Sequence, residues 1–108
     1  MKIILSGKNI KLDEALKVFV DDRIGGLRKF LEDPNGLVEA RVEIGLPSKH
    51  HRSGRIYYAE VNLKIGRKLL RATCQHEDMR NAIVDVKNEL QSQIKKFKNK
   101  KLDLTRKP

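Results

Sequence analysis

The residue types that most often carry chemistry are sparse in this 108-residue chain. There is one cysteine, Cys74, and there are three histidines: His50 and His51 side by side in a polar stretch, and His76 far from both. A zinc or similar site needs three or four such ligands at set intervals, and no such spacing occurs. Cys74 falls on the inward phase of a strand pattern, where a free thiol serves as a small buried hydrophobe. The glycine pair in "IGGL" lacks both the spacing and the Lys-Ser/Thr step of a phosphate-cradling loop. No set of nucleophile, base and orienting group meets the geometric requirements of catalysis. The expectation is a non-enzyme with no cofactor, no metal and no small-molecule substrate.

The chemistry that the chain has in abundance is cationic. Lys and Arg number 24 against 14 Asp and Glu, a formal net charge of +10. Such an excess costs stability through self-repulsion and concentrates polyanions around the molecule. It is densest in Gln91–Lys101, "QSQIKKFKNKK", with five lysines in eleven residues. Cations at a helix C-terminus are favoured by the macrodipole, but that effect fades within the last turn and explains only two or three of them. The remainder point to phosphate neutralisation.

These charges must be held by secondary structure. Residues 2–6, "KIILS", read as a first strand. From Leu12 the apolar residues Leu16, Phe19, Val20, Leu27, Phe30 and Leu31 recur at helical spacing, with Asp13 at the N-cap position. The spacing predicts a helix to about Glu32, continuous through Gly25 and Gly26, that stops before the turn signal "DPNG". Val38, Ala40, Val42 and Ile44 alternate with charged residues, as in a half-buried strand. After the polar loop "PSKHHRSGR", Tyr57, Ala59, Val61, Leu63 and Ile65 face inward. A turn near Gly66 follows, then Leu70, Ala72 and Cys74 face inward on a further strand. These three strands form an antiparallel meander. A second helix starts after the N-cap Asp78 and buries Met79, Ala82, Ile83, Val86, Leu90, Ile94 and Phe97.

The order β-α-β-β-β-α makes a two-layer α+β domain, a four-stranded sheet with two helices on one face. We assign residues 1–102 to a single domain and 103–108 to a short basic tail. The N-terminus is too short in apolar residues for a signal peptide or membrane span, and a lone cysteine implies no oxidising compartment. A cytoplasmic protein without a membrane partner is expected.

At about 100° per residue the second helix divides its charges. Arg80, Lys87, Lys95 and Lys98 lie on one flank of the apolar stripe. On the other, Asp78, Asp85 and Glu89 come first and Lys96 and Lys100 follow. Helix one adds Lys17, Arg23, Arg28 and Lys29. The outer sheet face presents Arg41, Tyr58, Glu60, Asn62, Lys64, Arg71 and Gln75, mixed in sign, with Tyr58 as a surface aromatic. It lacks the paired aromatics on which an RNA-recognition-motif sheet stacks bases. Binding is therefore expected from helices and loops to phosphates, with weak base readout.

With "FVDDRIGGLRKF" in helix one, "YYAEVNL" in the sheet, "HEDMRNAI" after the last strand and "KNELQSQIKKFKNK" beyond, the sequence resembles the short ribosome hibernation-promoting factors and the related ribosome-associated inhibitor. The resemblance implies a fold similar to a double-stranded RNA-binding domain. It also implies binding to 16S rRNA of the small ribosomal subunit in the mRNA and tRNA channel, with arrest of translation in stress or stationary phase. It implies rRNA contacts at Arg23, Lys29, Lys96 and Lys100, whereas Arg28, Arg80, Lys87, Lys95 and Lys98 are candidates on charge placement. Where the family has Asp-Met-Tyr this chain has Asp78-Met79-Arg80, and Glu89 and Ser92 replace two customary cations. The ribosome is the implied partner, with a second hibernation factor as a further one and a monomer as the free state. The resemblance implies that long members carry a C-terminal ribosome-pairing domain, which a chain of 108 residues is expected to lack. The promoting and inhibiting subtypes both remain open, as does the flank that faces rRNA. Two other readings also stand: a general double-stranded RNA binder, and a protein-interaction modulator of a transcription (sigma) factor.

Overall fold

The structure, a computed structural model, describes residues 1–33, 36–47 and 56–106, with side chains up to residue 100. Part of the "DPNG" turn, the loop carrying His50 and His51, and residues 107–108 lie outside the described residues. Strand β1 (Lys2–Lys8) leads to helix α1 (Glu14–Gly25) and a 3₁₀ turn (Gly26–Phe30). Strands β2 (Glu39–Gly45), β3 (Tyr57–Ile65) and β4 (Lys68–His76) then precede helix α2 (Met79–Arg106). The sheet order is β1-β2-β3-β4. β1 runs parallel to β2, as a strand–helix–strand crossover requires, and β2, β3 and β4 form the expected antiparallel meander.

Alternation decides which way each strand faces. Ala40, Val42 and Ile44 from β2, Ala59, Val61 and Leu63 from β3, and Leu70 and Ala72 from β4 are buried beneath the helices. From α2, Ala82, Ile83, Val86, Leu90 and Ile94 are wholly buried against them, while Met79 and Phe97 are half-buried. α1 sits over β1 and α2 over β3 and β4, so both helices cover the same face. Gly66, at φ 59°, opens the two-residue turn between β3 and β4, the position where a type II′ hairpin needs glycine.

Three expectations are corrected. The first helix does not stay α-helical to Glu32; it tightens to 3₁₀ geometry at Gly26 and ends at Phe30. Leu16, Val20 and Ile24 are spaced by four and suit an α-helix, whereas Ile24, Leu27 and Phe30 are spaced by three. Residues three apart eclipse in a 3₁₀ helix, so the tighter winding keeps Leu27 buried and Phe30 against the core. Tyr58 is only 8% exposed rather than a surface aromatic, since its hydroxyl donates to Glu43 on the neighbouring strand. Finally, the α2 backbone runs on to Arg106, past the point where a loose tail was expected.

Candidate nucleic-acid interface

Two caps set where the cation-bearing helices begin. The Asp13 carboxylate accepts the Leu16 amide at 2.8 Å and starts α1. Asp78 Oδ1 accepts the Arg80 amide at 2.8 Å and the Asn81 amide at 3.3 Å, which starts α2. The amide of Asp78 in turn donates to His76 Nδ1 at 2.9 Å. Arg80 is thus held in the first turn of α2 by backbone geometry, which fixes the direction in which its side chain leaves the helix.

Packing then places that side chain beside α1. The guanidinium carbons of Arg23 and Arg80 lie 5.0 and 5.4 Å from the centroid of the Phe19 ring. About three to four helical turns further along, the ammonium groups of Lys29 and Lys95 lie 5.3 and 5.9 Å from the Phe30 ring. Phe19 precedes Phe30 as Arg80 precedes Lys95, so α1 and α2 run in the same direction. Lys87 and Lys98, on the Arg80 flank, extend the same seam; Lys87 is half-buried and Lys98 exposed. From Arg80 to Lys98 the row is about 27 Å long at 1.5 Å per residue.

Charge pairing separates this seam from Arg41 and Arg71 on the outer sheet face. Lys64, Lys68, Lys96 and Lys100 also lack an ion pair among the described residues, so what sets the seam apart is that cations of two helices converge there. On the outer sheet face Arg71 bonds Glu60 at 2.6 Å and Arg41 bonds Glu39 at 3.2 Å. On α1, Lys17 pairs with Glu14, and Arg23 loosely with Asp22 at 3.7 Å. Among the described residues, Lys29, Arg80, Lys87, Lys95 and Lys98 have no carboxylate partner. Their positive charge has no carboxylate beside it, while on the sheet face Arg41 and Arg71 are each paired and Lys64 is not.

The other sequence-derived candidates lie elsewhere. Arg28 turns back so that its guanidinium covers Gly25, and it lines a shallow cavity with Met1, Leu31, Asp33 and Val38 at the far side of α1. Lys96 and Lys100 follow Glu89 and Gln93 by seven residues, on the flank that leans over β4. Gln93 donates there to the Arg71 carbonyl at 2.9 Å and to Glu89 at 3.2 Å. Cys74 lies beneath this flank: burial pushes its thiol up, and the carboxylates of Asp85 and Glu89 add to the effect. A thiol held protonated is a poor nucleophile. The described residues hold no group of three or more His, Cys, Asp or Glu side chains able to bind a metal.

Phe19 and Phe30 were legible only as apolar positions of helix one. Their second role could have been suspected from the Phe19–Arg23 spacing of four and the Lys29-Phe30 pair, but Arg80 and Lys95 reach them only through packing.

A mixed four-stranded sheet with two parallel helices on one face and unpaired cations along their seam defines a small basic α+β domain. The chain belongs to the family described as Sigma 54 modulation protein / S30EA ribosomal protein, which matches residues 3–102. It is 32% identical over 100 residues to the ribosome hibernation promotion factor of Bacillus subtilis, covering 93% of this chain and 50% of that protein. It is 29% identical over 108 residues to the factor of the same name from Lactococcus lactis, covering 100% of this chain and 54% of that protein. The chain thus spans about half the length of the curated relatives that it matches. The N-terminal domain of Thermus thermophilus Protein Y superposes with a TM-score of 0.75 at 23% identity, over 90% of this chain and 99% of that one. A ribosomal subunit interface protein from Coxiella burnetii gives 0.72 at 15% identity, over 92% and 99%. These two likenesses establish the fold.

Proposed function

We propose that this protein is a non-catalytic ribosome hibernation factor. It binds 16S rRNA of the small ribosomal subunit in the mRNA and tRNA channel and stops translation in stress or stationary phase by excluding tRNA. The observation that carries this reading is the seam of Arg23, Lys29, Arg80, Lys87, Lys95 and Lys98, in which cations from two helices converge and, among the described residues, all but Arg23 lack a carboxylate partner. The names of the curated relatives support the ribosome as the partner.

Phosphates draw the seam into place, because each neutralised phosphate releases condensed counterions. The seam offers cations to phosphates and no exposed aromatic pair on which bases could stack, so recognition is chiefly of backbone and shape. Once lodged, the domain acts by its volume and needs no chemical step. Of the two flanks of α2, the one beside α1 makes the principal contact; Lys96 and Lys100 add a weaker, peripheral one, and Arg28 adds little.

Co-sedimentation with small subunits tests this assignment. A Lys87→Glu/Lys95→Glu variant is expected to leave the subunit fraction, and a Lys96→Glu/Lys100→Glu variant to remain largely bound. The reverse result overturns the choice of flank. Comparable affinity of the unaltered protein for an unrelated RNA duplex and for the subunit at physiological salt overturns the ribosomal reading. Binding that survives nuclease and high salt points to a protein partner instead.

A further inference from the structure

Phe19 and Phe30 are half-buried rings that pack partly on the core, yet each is also flanked by two cations. In both cases one cation comes from the α1 segment and the other from α2. The pattern repeats at two points along the seam, with Arg80 and Lys95 about 22 Å apart along the helix. Filling the core would need an apolar side chain at each position, with no reason for four cations to converge on the two rings. We propose that Phe19 and Phe30 are positioning residues for RNA binding, holding two cation pairs in place to receive the sugar-phosphate backbone at either end of the seam. This rests on the RNA-binding reading of the seam given above.

The physical reason is the cost of ordering. A free Arg or Lys side chain samples many rotamers, and fixing it on a phosphate sacrifices that freedom. A cation over an aromatic face is held by the ring quadrupole and gives up less when an anion arrives. Two like charges at one ring also repel each other, and a phosphate placed between them relieves that repulsion. The ring collects the pair and the phosphate neutralises it. Phe19 and Phe30 need not touch RNA, and they leave unchanged the number of phosphates neutralised.

That last point separates the role from ordinary packing. Affinity for the small subunit is measured over a salt series for the unaltered protein, Phe19→Leu, Phe30→Leu, and the ring-keeping Phe19→Tyr and Phe30→Tyr. Each leucine variant is expected to bind about 2–5-fold more weakly, the equivalent of one exposed cation–π contact. The slope of log affinity against log salt is expected to stay the same, because the cations are all still present. Each tyrosine variant is expected to bind like the unaltered protein. In the free protein, the side-chain N–H resonances of Arg23 and Arg80 are expected to be shifted by the Phe19 ring, to take ordinary positions in Phe19→Leu and to stay shifted in Phe19→Tyr. Leucine variants that bind as well as the unaltered protein overturn the inference, and so do tyrosine variants as weak as the leucine ones. An unaltered protein that does not bind the subunit at all overturns the functional reading itself, a result distinct from equal binding by every variant.

Discussion

Arg23 and Arg80, 57 positions apart in sequence, share the Phe19 ring at 5.0 and 5.4 Å. Their meeting joins the basic residues of the first helix to one flank of the second and leaves the other flank apart. Where the positive surface lies is therefore a consequence of how two helices pack on a sheet, and the same residue counts could have been arranged otherwise.

The unpaired state of the seam cations has a direct measure. Lys95→Ala is expected to reduce the magnitude of the salt slope of small-subunit binding by about 0.7–0.9, one phosphate contact's worth. Arg71→Ala, which removes a cation already paired with Glu60, is expected to leave the slope alone. Equal effects from the two would mean that the sheet face contributes as much as the seam.

Gly45 pairs with Lys8 across β1 and β2, and the Leu46 amide donates to the Lys8 carbonyl at 3.0 Å. A Cβ at Gly45 would collide with that same carbonyl oxygen, which is backbone and cannot swing away. Gly45→Ala is expected to lower the melting temperature on the order of 10 °C by overpacking, read by circular dichroism. Gly26→Ala meets no atom within 4 Å and is expected to change it little.

Burial pushes the Tyr58 phenol up to about 12, and its hydrogen bond to Glu43 and the nearby carboxylates act in the same direction. A phenol harder to ionise in the folded state contributes stability that is complete below pH 10 and is lost as pH rises through about 12. Absorbance titration should show one tyrosine ionising late. Tyr58→Phe should cost about 1–3 kcal/mol at neutral pH, because Glu43 loses its donor, and its deficit against the unaltered protein should shrink between pH 10 and 12.

Asp33 loses some hydration, which pushes its carboxyl up, but the N-terminal ammonium and the amides of Leu37 and Val38 outweigh this and hold it below the usual range. The ammonium lies 3.1 Å away, and the Leu37 amide 2.7 Å. A depressed carboxylate contributes stability above its unfolded pKa and loses it as pH falls through the folded value. Thermal melts of Asp33→Asn are expected to lie below those of the unaltered protein at pH 7 and to converge with them in acid. A constant gap across that range would mean that the charge of Asp33 is not what holds the segment before β2.

Much of the architecture is written locally. Val38, Ala40, Val42 and Ile44 declare a one-sided strand because side chains alternate with period two. Asp13 and Asp78 mark helix starts because a short carboxylate can reach the orphan amides of the first turn. The stripe from Met79 to Phe97 declares a helix because its period is close to 3.6. The 3₁₀ turn is harder to read: the shift from spacing by four to spacing by three at Ile24 signals it, but an apolar residue at Leu31 keeps an α-helical phase plausible.

By itself, the sequence determined the order of elements, the two caps, the buried faces of β2, β3, β4 and the two helices, and the division of α2 cations into two flanks. All of these depend on residues within a turn or two of one another. Only the tertiary structure decided that the Arg80 flank lies beside Phe19 and Phe30, that Arg28 turns away towards Met1 and Asp33, and that Tyr58 is buried against Glu43. Each depends on which element comes to lie beside which, and that follows from the combined packing of four strands and two helices. Periodicity shows which way a side chain points from its own backbone, but what it meets there is set by another part of the chain.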